Sequence, residues 1–196
     1  MVAGVGPGNP KYMISEVAEL VENMENVVAF GRVSKGLNEI RDDIKSVVKV
    51  SELNDLINEY DDLLILASGD PEFYGVTDYL KRSGIVIDRV VPGISSFQYL
   101  MCKLQKSWQN TNLFSLHGRD YELSEVLNNE MNICLTDSIN TPNSISKSLY
   151  ELGARGSITA GYNLSYDDEL IISKKIGDTL DDISALAVVV IEIEMD

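Results

Sequence analysis

Three short stretches gather the residue types that hold a small polar ligand: Gly4-Val5-Gly6-Pro7-Gly8, Gly69-Asp70-Pro71 and Pro92-Gly93-Ile94-Ser95-Ser96. Each follows an apolar run and combines turn-forming residues with a polar side chain or a donor. Gly69 lets the backbone turn with no Cβ in the way, and Asp70 sets an acceptor at the end of that run. Ser95 and Ser96 offer hydroxyls and N–H groups at the start of a helix, where polar or negative ligand groups are favoured. The first stretch departs from a phosphate-cradling G-x-G-x-x-G loop. Pro7 removes a backbone donor, and Asn9 stands where the last glycine belongs. Two further places carry charge or acid–base capacity. Gly31-Arg32 with Ser34-Lys35-Gly36 reads as a basic loop at a strand end. His117, the single histidine, lies in His117-Gly118-Arg119-Asp120 and is a candidate for proton transfer.

The elements that must position these loops alternate. Leu63-Leu64-Ile65-Leu66-Ala67 is a continuous apolar run, the pattern of a strand covered on both faces of a parallel sheet. Pro71 suits the first turn of a helix, which predicts a helix from Glu72 to Arg82. Upstream, only three residues precede Gly4, so the first strand is very short. Asn9-Pro10 opens a helix carrying Ile14, Val17, Ala18, Val21 and Met24 inward, with Glu16, Glu19, Glu22 and Glu25 outward. Val27 to Phe30 is a second strand and residues 46–50 a third. Ser51 caps a helix through Leu53, Leu56, Ile57 and Tyr60. Ile85 to Val91 is a fifth strand, and a helix follows through Phe97, Leu100, Met101 and Leu104. Residues 105–111, polar apart from Trp108, read as a linker between domains at 1–109 and 112–196.

The second half opens with a strand from Asn112 to Leu116. Another covers 132–136 and ends on Thr136-Asp137. Thr141-Pro142 starts a helix through Ile145, Leu149 and Leu152 that Gly153 closes. Strands at 157–160, 169–173 and from Leu186 to Ile193 complete a mixed sheet. The fold class is therefore α/β in two domains. The first is a five-stranded parallel sheet with helices on both faces; the second is a mixed sheet with helices.

Composition narrows the function. The chain has 196 residues and a net charge of −15, from 31 acidic and 16 basic residues. That balance argues against nucleic acid and anionic membrane as partners. Residues 1–110 carry −5 and residues 111–196 carry −10, so a basic patch for an anionic substrate belongs more naturally to the first half. No apolar run reaches eighteen residues, and residues 1–12 lack the pattern of a secretion signal. Cys102 and Cys134 stand apart, without metal-ligand spacing or a disulfide framework. A reducing cytoplasm and no protein-bound metal are expected.

Taken in order, the GxGPG loop, the GDP loop and the PGISS turn resemble the tetrapyrrole methylases. The resemblance spans nearly the whole chain. Ser115-Leu116-His117-Gly118-Arg119, Leu135-Thr136-Asp137 and Asn163-Leu164-Ser165-Tyr166-Asp167-Asp168-Glu169 are similar to the branch that methylates carbon 5 of a cobalamin precursor. The resemblance implies S-adenosyl-L-methionine as cofactor, in a ligand cleft between two α/β domains, and usually a homodimer. It implies a cobalt-precorrin as tetrapyrrole substrate and a separate carbon-15 methylase/decarboxylase as possible partner subunit. Carried over by motif, Pro7, Gly69, Asp70, Phe73, Ser95, Ser96, Thr136 and Leu164 are the cofactor residues. Lys11, Arg32, Lys35 and Arg119 are the cations for the substrate's carboxylates. His117, Tyr12 and Asp70 are the candidates for a base. Tyr162 stands where this branch is expected to carry a small or acidic residue. The readings that compete are another methylase of the superfamily, acting on a different tetrapyrrole, on RNA or on a protein histidine; a nicotinamide-binding oxidoreductase; and a non-enzymatic subunit that only binds the cofactor.

Overall fold

The structure, a computed structural model, describes residues 1–38, 40–119, 121–184 and 187–195. The expected loop end at Asp120 and strand start at Leu186 lie outside the described residues. The chain divides into two compact units, Met1–Ser96 and Phe97–Asp196. The polar segment 105–111 falls within the second.

The first unit is an all-parallel sheet of β1 (Val2–Gly4), β2 (Val27–Phe30), β3 (Lys45–Val47), β4 (Leu64–Ala67) and β5 (Val90–Val91). Their order across the sheet is β3-β2-β4-β1-β5. Alternate residues of each strand point to opposite faces, and each face is covered. Ala3, Ala29, Leu64 and Leu66 pack with Val17 and Val21 of α1 (Ser15–Asn23) and with Val33 and Leu37 of α2 (Gly31–Leu37). Val2, Val28 and Ile65 pack with Leu53 of α3 (Leu53–Glu59) and Leu80 of α4 (Val76–Arg82). The connection leaving β1 leads to β2 on one side, and the connection leaving β4 leads past β1 to β5 on the other. The two part at the β1–β4 pair, the kind of switch point at which open α/β sheets bind ligands beyond the strand ends.

Several local expectations are corrected. Pro10 begins only a 3₁₀ turn, Pro10–Tyr12, capped by Asn9, and α1 starts afresh at Ser15. The basic stretch after β2 is not a loop. Val33 and Leu37 gain enough by burial to carry two glycines and a serine into α2, so Arg32 and Lys35 sit on a helix. Ser51 falls inside a 3₁₀ turn, Val50–Glu52; the carboxylate of Glu52 accepts the backbone N–H groups of Val48 and Lys49 instead. Pro71 does not open α4. The Thr77 hydroxyl donates to the Pro71 carbonyl at 2.7 Å, and a Cβ on Gly75 would meet that carbonyl oxygen at 2.2 Å. The segment 71–75 is thus a closed loop, and α4 begins after it. Of the expected fifth strand only Val90–Val91 pairs, along β1.

The second unit is a mixed sheet in the order β6-β7-β10-β8-β9. Its strands are β6 (Asn112–Ser115), β7 (Met131–Leu135), β8 (Gly156–Tyr162), β9 (Leu170–Lys175) and β10 (Ala187–Ile193). Only β6 and β7 run parallel; β10 is antiparallel to both β7 and β8. α5 (Ser96–Leu104) leads into this unit, and α6 (Pro142–Glu151) buries Ile145 and Leu149 against Phe114, Cys134, Ile158, Val189 and Ile191. Thr141 caps α6 by accepting the Ser144 N–H at 3.2 Å. β8 runs two residues further than expected because β9 and β10 pair on both its sides through Tyr162. The Tyr162 ring is fully buried, and its hydroxyl donates to the Asp181 carbonyl at 2.9 Å.

Candidate functional site

Parallel strands β4, β1 and β5 are neighbours, so the loops leaving their carboxyl ends are neighbours too. Those loops are the three glycine-bearing stretches. Gly6 and Gly69 exchange backbone hydrogen bonds, N–H to O at 3.3 Å in one direction and 2.7 Å in the other. A Cβ on Gly4 would lie 2.5 Å from the Gly69 oxygen and 2.7 Å from the Gly93 nitrogen. One on Gly93 would lie 2.2 Å from the Gly69 oxygen. Three backbones therefore touch at a point that admits no side chain. Gly4, Gly6 and Gly93 belong to this cluster as much as Gly69 does. A glycine closing each of three parallel strands was the signal in the sequence.

Asp70 fastens the cluster. One carboxylate oxygen accepts the Gly93 N–H at 3.2 Å and the other the Glu72 N–H at 2.8 Å. With an amide on each oxygen, Asp70 anchors the loop. Ser95 is buried, and its Cα lies 3.6 Å from where a Gly69 Cβ would stand. Ser96 is the first residue of α5. Pro7 is buried next to Gly6, while the Phe73 ring, half-buried, meets the Tyr74 ring edge-on at 4.9 Å. Gly69, Asp70 and Ser95 are thus brought together. The Tyr12 carbonyl lies behind Gly6, and the Lys11 ammonium sits 5.0 Å from the Tyr12 ring centroid. Arg32 and Lys35 lie exposed on α2.

In the second unit the loops after the parallel pair β6 and β7 are joined. The Gly118 N–H donates to Asp137 at 3.3 Å, and the same carboxylate accepts the N–H groups of Ile139 and Asn140. Asn140 above all, then Ile139 and Gly118, hold the Asp137 carboxyl below its ordinary range against the opposing effect of burial. His117 and Arg119 stand exposed on this joined rim. The Thr136 hydroxyl is committed: it donates to the Ala187 carbonyl and accepts the Ala187 N–H, both at 2.9 Å. Leu164 is buried, with its Cδ2 2.8 Å from where a Gly161 Cβ would stand and Leu100 of α5 beside it. The loop carrying Leu164 is clamped by Glu169, which accepts the Ser165 N–H at 2.7 Å and pairs with Lys103 of α5 at 3.0 Å. Burial works against the Glu169 charge, but the Tyr99 hydroxyl, the Ser165 N–H and Lys103 together hold its carboxyl below the usual range.

A family model described as Tetrapyrrole (Corrin/Porphyrin) Methylases matches residues 1–179. The chain belongs to the tetrapyrrole methylases. Within the family, it is 29% identical over 205 residues to a protein of Methanocaldococcus jannaschii named probable cobalt-precorrin-7 C(5)-methyltransferase, covering 97% of this chain and 96% of that one. The cobalt-precorrin-7 C(5)-methyltransferase of Salmonella typhimurium is 35% identical over 114 residues, 56% of this chain and 55% of the relative. Among solved structures, the precorrin-6Y methylase of Archaeoglobus fulgidus superposes with a TM-score of 0.75 at 22% identity, over 99% of this chain and 97% of that one. The uroporphyrin-III C-methyltransferase of Thermus thermophilus, complexed with S-adenosylhomocysteine, gives 0.77 at 20% identity, over 97% and 95%. These likenesses establish the methylase fold, and with it the two α/β sheets expected from the sequence. Among the described residues, no helix of this methylase is long and apolar enough to cross a membrane.

Proposed function

We propose that this methylase transfers a methyl group from S-adenosyl-L-methionine to carbon 5 of a cobalt-precorrin, a step in building the ring of vitamin B12. The observation that carries the reading is the meeting of Gly4, Gly69 and Gly93 with Asp70 as their tie. The cluster gathers the loops that leave three neighbouring parallel strands at one place beyond their carboxyl ends, where open α/β sheets bind their ligands. The cofactor supplies an electrophilic methyl on a sulfonium, with a good leaving group already in place. The full-length likeness to the Methanocaldococcus jannaschii protein, through its name, supports carbon 5 as the acceptor.

The chain's residues fit this cofactor without phosphate chemistry, so the donor lost at Pro7 costs nothing. Gly69 and Asp70 shape the loop. Ser95 and Ser96 supply hydroxyls and N–H groups, while Pro7 and Phe73 supply apolar surface. On the resemblance, Leu164 adds apolar surface, and Thr136 contributes through its methyl or its own carbonyl, since its hydroxyl is spent on Ala187. Lys11, Arg32, Lys35 and Arg119 serve the substrate's carboxylates. Alignment and exclusion of water supply most of the rate. Of the candidates for a base, His117 is the exposed one, while Tyr12 and Asp70 are half-buried; Asp70 acts by position. The enzyme works as a homodimer in the cytoplasm, with the carbon-15 methylase/decarboxylase as a separate subunit.

Calorimetric titration with S-adenosylhomocysteine tests this, with NADH as control. We expect micromolar binding of one equivalent per chain and at least ten-fold weaker binding in Asp70→Ala. Binding of NADH in its place would return the chain to nicotinamide chemistry. Turnover with the tetrapyrrole, followed by locating the new methyl on the ring, separates an enzyme from a binding subunit and carbon 5 from other positions.

A further inference from the structure

Strand β9 ends the second sheet and pairs along one side, with β8. The opposite edge strand, β6, is closed: the Tyr121 ring stacks on Phe114 at 4.0 Å, and its hydroxyl accepts the Asn112 amide at 2.9 Å. Among the described residues nothing comparable covers β9. Leu170, Ser173, Lys174 and Lys175 are exposed, and Ile171 and Ile172 are half-buried. The ladder decides which amides face outward. The Ile176 N–H donates to the Gly156 carbonyl at 3.1 Å, so Leu170, Ile172 and Lys174 bond to β8, while Ile171 and Ser173 turn their N–H and C=O groups away from it. The next outward amide, that of Lys175, donates to Asp178 at 3.3 Å and seals that end. An open edge carrying Leu170-Ile171-Ile172 is a template for another strand.

The charges select the strand. Exposed Asp167 and Asp168 precede β9, and exposed Lys174 and Lys175 end it. Among the described residues neither lysine belongs to an ion pair. An antiparallel copy of the same edge therefore meets opposite charge at both ends. We infer that a second copy of this chain docks on the β9 edge, strand against antiparallel strand. The register is centred on Ile171, whose outward amide and carbonyl exchange two hydrogen bonds with those of the other copy. Leu170 then faces Ile172, Asp168 faces Lys174 and Asp167 lies beside Lys175, each contact occurring twice by the two-fold axis. Centring on Ile172 or Ser173 instead sets Lys174 against Leu170 or Ile172. The inference rests on the homodimer in the reading above and gives it an interface; it is independent of the chemistry.

Size exclusion with light scattering, over a dilution series, compares wild type with Ile171→Pro and Lys174→Glu/Lys175→Glu. A strand-edge contact is smaller than a standard interface, so the wild-type dimer should dissociate at micromolar concentrations. The charge reversal should weaken it about ten-fold, because like charges then stand opposite. Ile171→Pro should weaken it at least as much and melt like wild type, since proline is tolerated where an edge N–H points outward. Mixing Lys174→Glu/Lys175→Glu with Asp167→Lys/Asp168→Lys should restore the dimer as a heterodimer. In a Cys102→Ser background, oxidised Ile171→Cys should cross-link to a covalent dimer. Wild type that stays monomeric at every concentration would overturn the inference and the homodimer together. A dimer that survives the charge reversal, a mixture that restores nothing, or an absent cross-link would overturn the interface alone. Failure of S-adenosylhomocysteine to bind, titrated separately, would remove the methylase reading and leave this surface standing.

Discussion

Replacing Gly93 by alanine tests the claim that three backbones share one point. Gly93 is not among the glycines with positive φ, so an added methyl costs nothing in backbone conformation, and its whole effect is contact. The new Cβ would lie 2.2 Å from the Gly69 oxygen and 2.7 Å from the Gly4 carbonyl carbon and oxygen. All three atoms are backbone, so no side chain can swing aside, and the loops must part by about 1 Å to reach ordinary contact. Overpacking of this kind costs about 1–3 kcal/mol. Parting also endangers the Gly6–Gly69 hydrogen-bond pair and the Asp70 to Gly93 bond, each worth about 1 kcal/mol. A loss of about 3 kcal/mol should lower the melting temperature by roughly 10 °C. Gly84→Ala is the internal control. Gly84 has φ +77° and nothing within 4 Å of an added Cβ, so it bears only the left-handed penalty of about 1 kcal/mol, or roughly 3 °C. Differential scanning calorimetry gives both values, and titration with S-adenosylhomocysteine should find binding lost in Gly93→Ala and kept in Gly84→Ala. Equal melting shifts, or full ligand affinity in Gly93→Ala, would refute the convergence as the basis of the site.

Other consequences are cheaper to check. Burial pushes the Cys134 thiol up to about 12, while Cys102 is exposed; a maleimide at pH 8 should label Cys102 in the native protein and Cys134 only after unfolding. Glu169 has a depressed pKa, so its contribution to holding the 163–169 loop is complete above the usual 4.5 of a glutamate and is lost as pH falls through the lower native value. The amide resonance of Ser165, which donates to Glu169, should follow that transition, and Glu169→Gln should abolish it. Tyr162→Phe removes only the bond to the Asp181 carbonyl and should cost about 1 kcal/mol. Tyr162→Ala empties a buried ring and should cost about 3–5 kcal/mol, both read from urea unfolding.

The sequence made the ends of β4 and β1 legible because burial on both faces leaves a continuous apolar run, and a glycine marks where it must stop. The same grammar located the Gly93 turn, although β5 proved only two residues long. Pairing on one edge strand leaves little trace in a sequence; Val86, at 84% exposure, belongs to no ladder. α2 was illegible because Gly31, Ser34 and Gly36 speak locally for a loop, whereas its stability comes from Val33 and Leu37 reaching a distant sheet. Pro71 misled for a related reason: its carbonyl, not its ring, decides the local structure, through Thr77 and Gly75. In the site, Gly69, Asp70 and Ser95 could be singled out from their motifs. That Gly4 and Gly93 press on the same carbonyl could not, since contact between loops 89 positions apart depends on strand order. The spent hydroxyl of Thr136 was equally hidden, because its partner lies at Ala187 in another strand.

The placement of β10 bears on how the protein is made. All five strands of the first sheet are supplied by residues up to Val91, so that sheet can close while the second is still being synthesised. The second cannot behave this way. Its central strand, β10, is the last in the chain, and it alone joins β6–β7 to β8–β9. Until Ala187–Ile193 leaves the ribosome, the four earlier strands form two half-sheets, each with an open inner edge and with Cys134 and Ile158 short of partners. The interval between the emergence of β9 and that of β10 is therefore when a nascent chain is most exposed to aggregation, and slowed elongation there would lengthen the exposure without altering a single native contact.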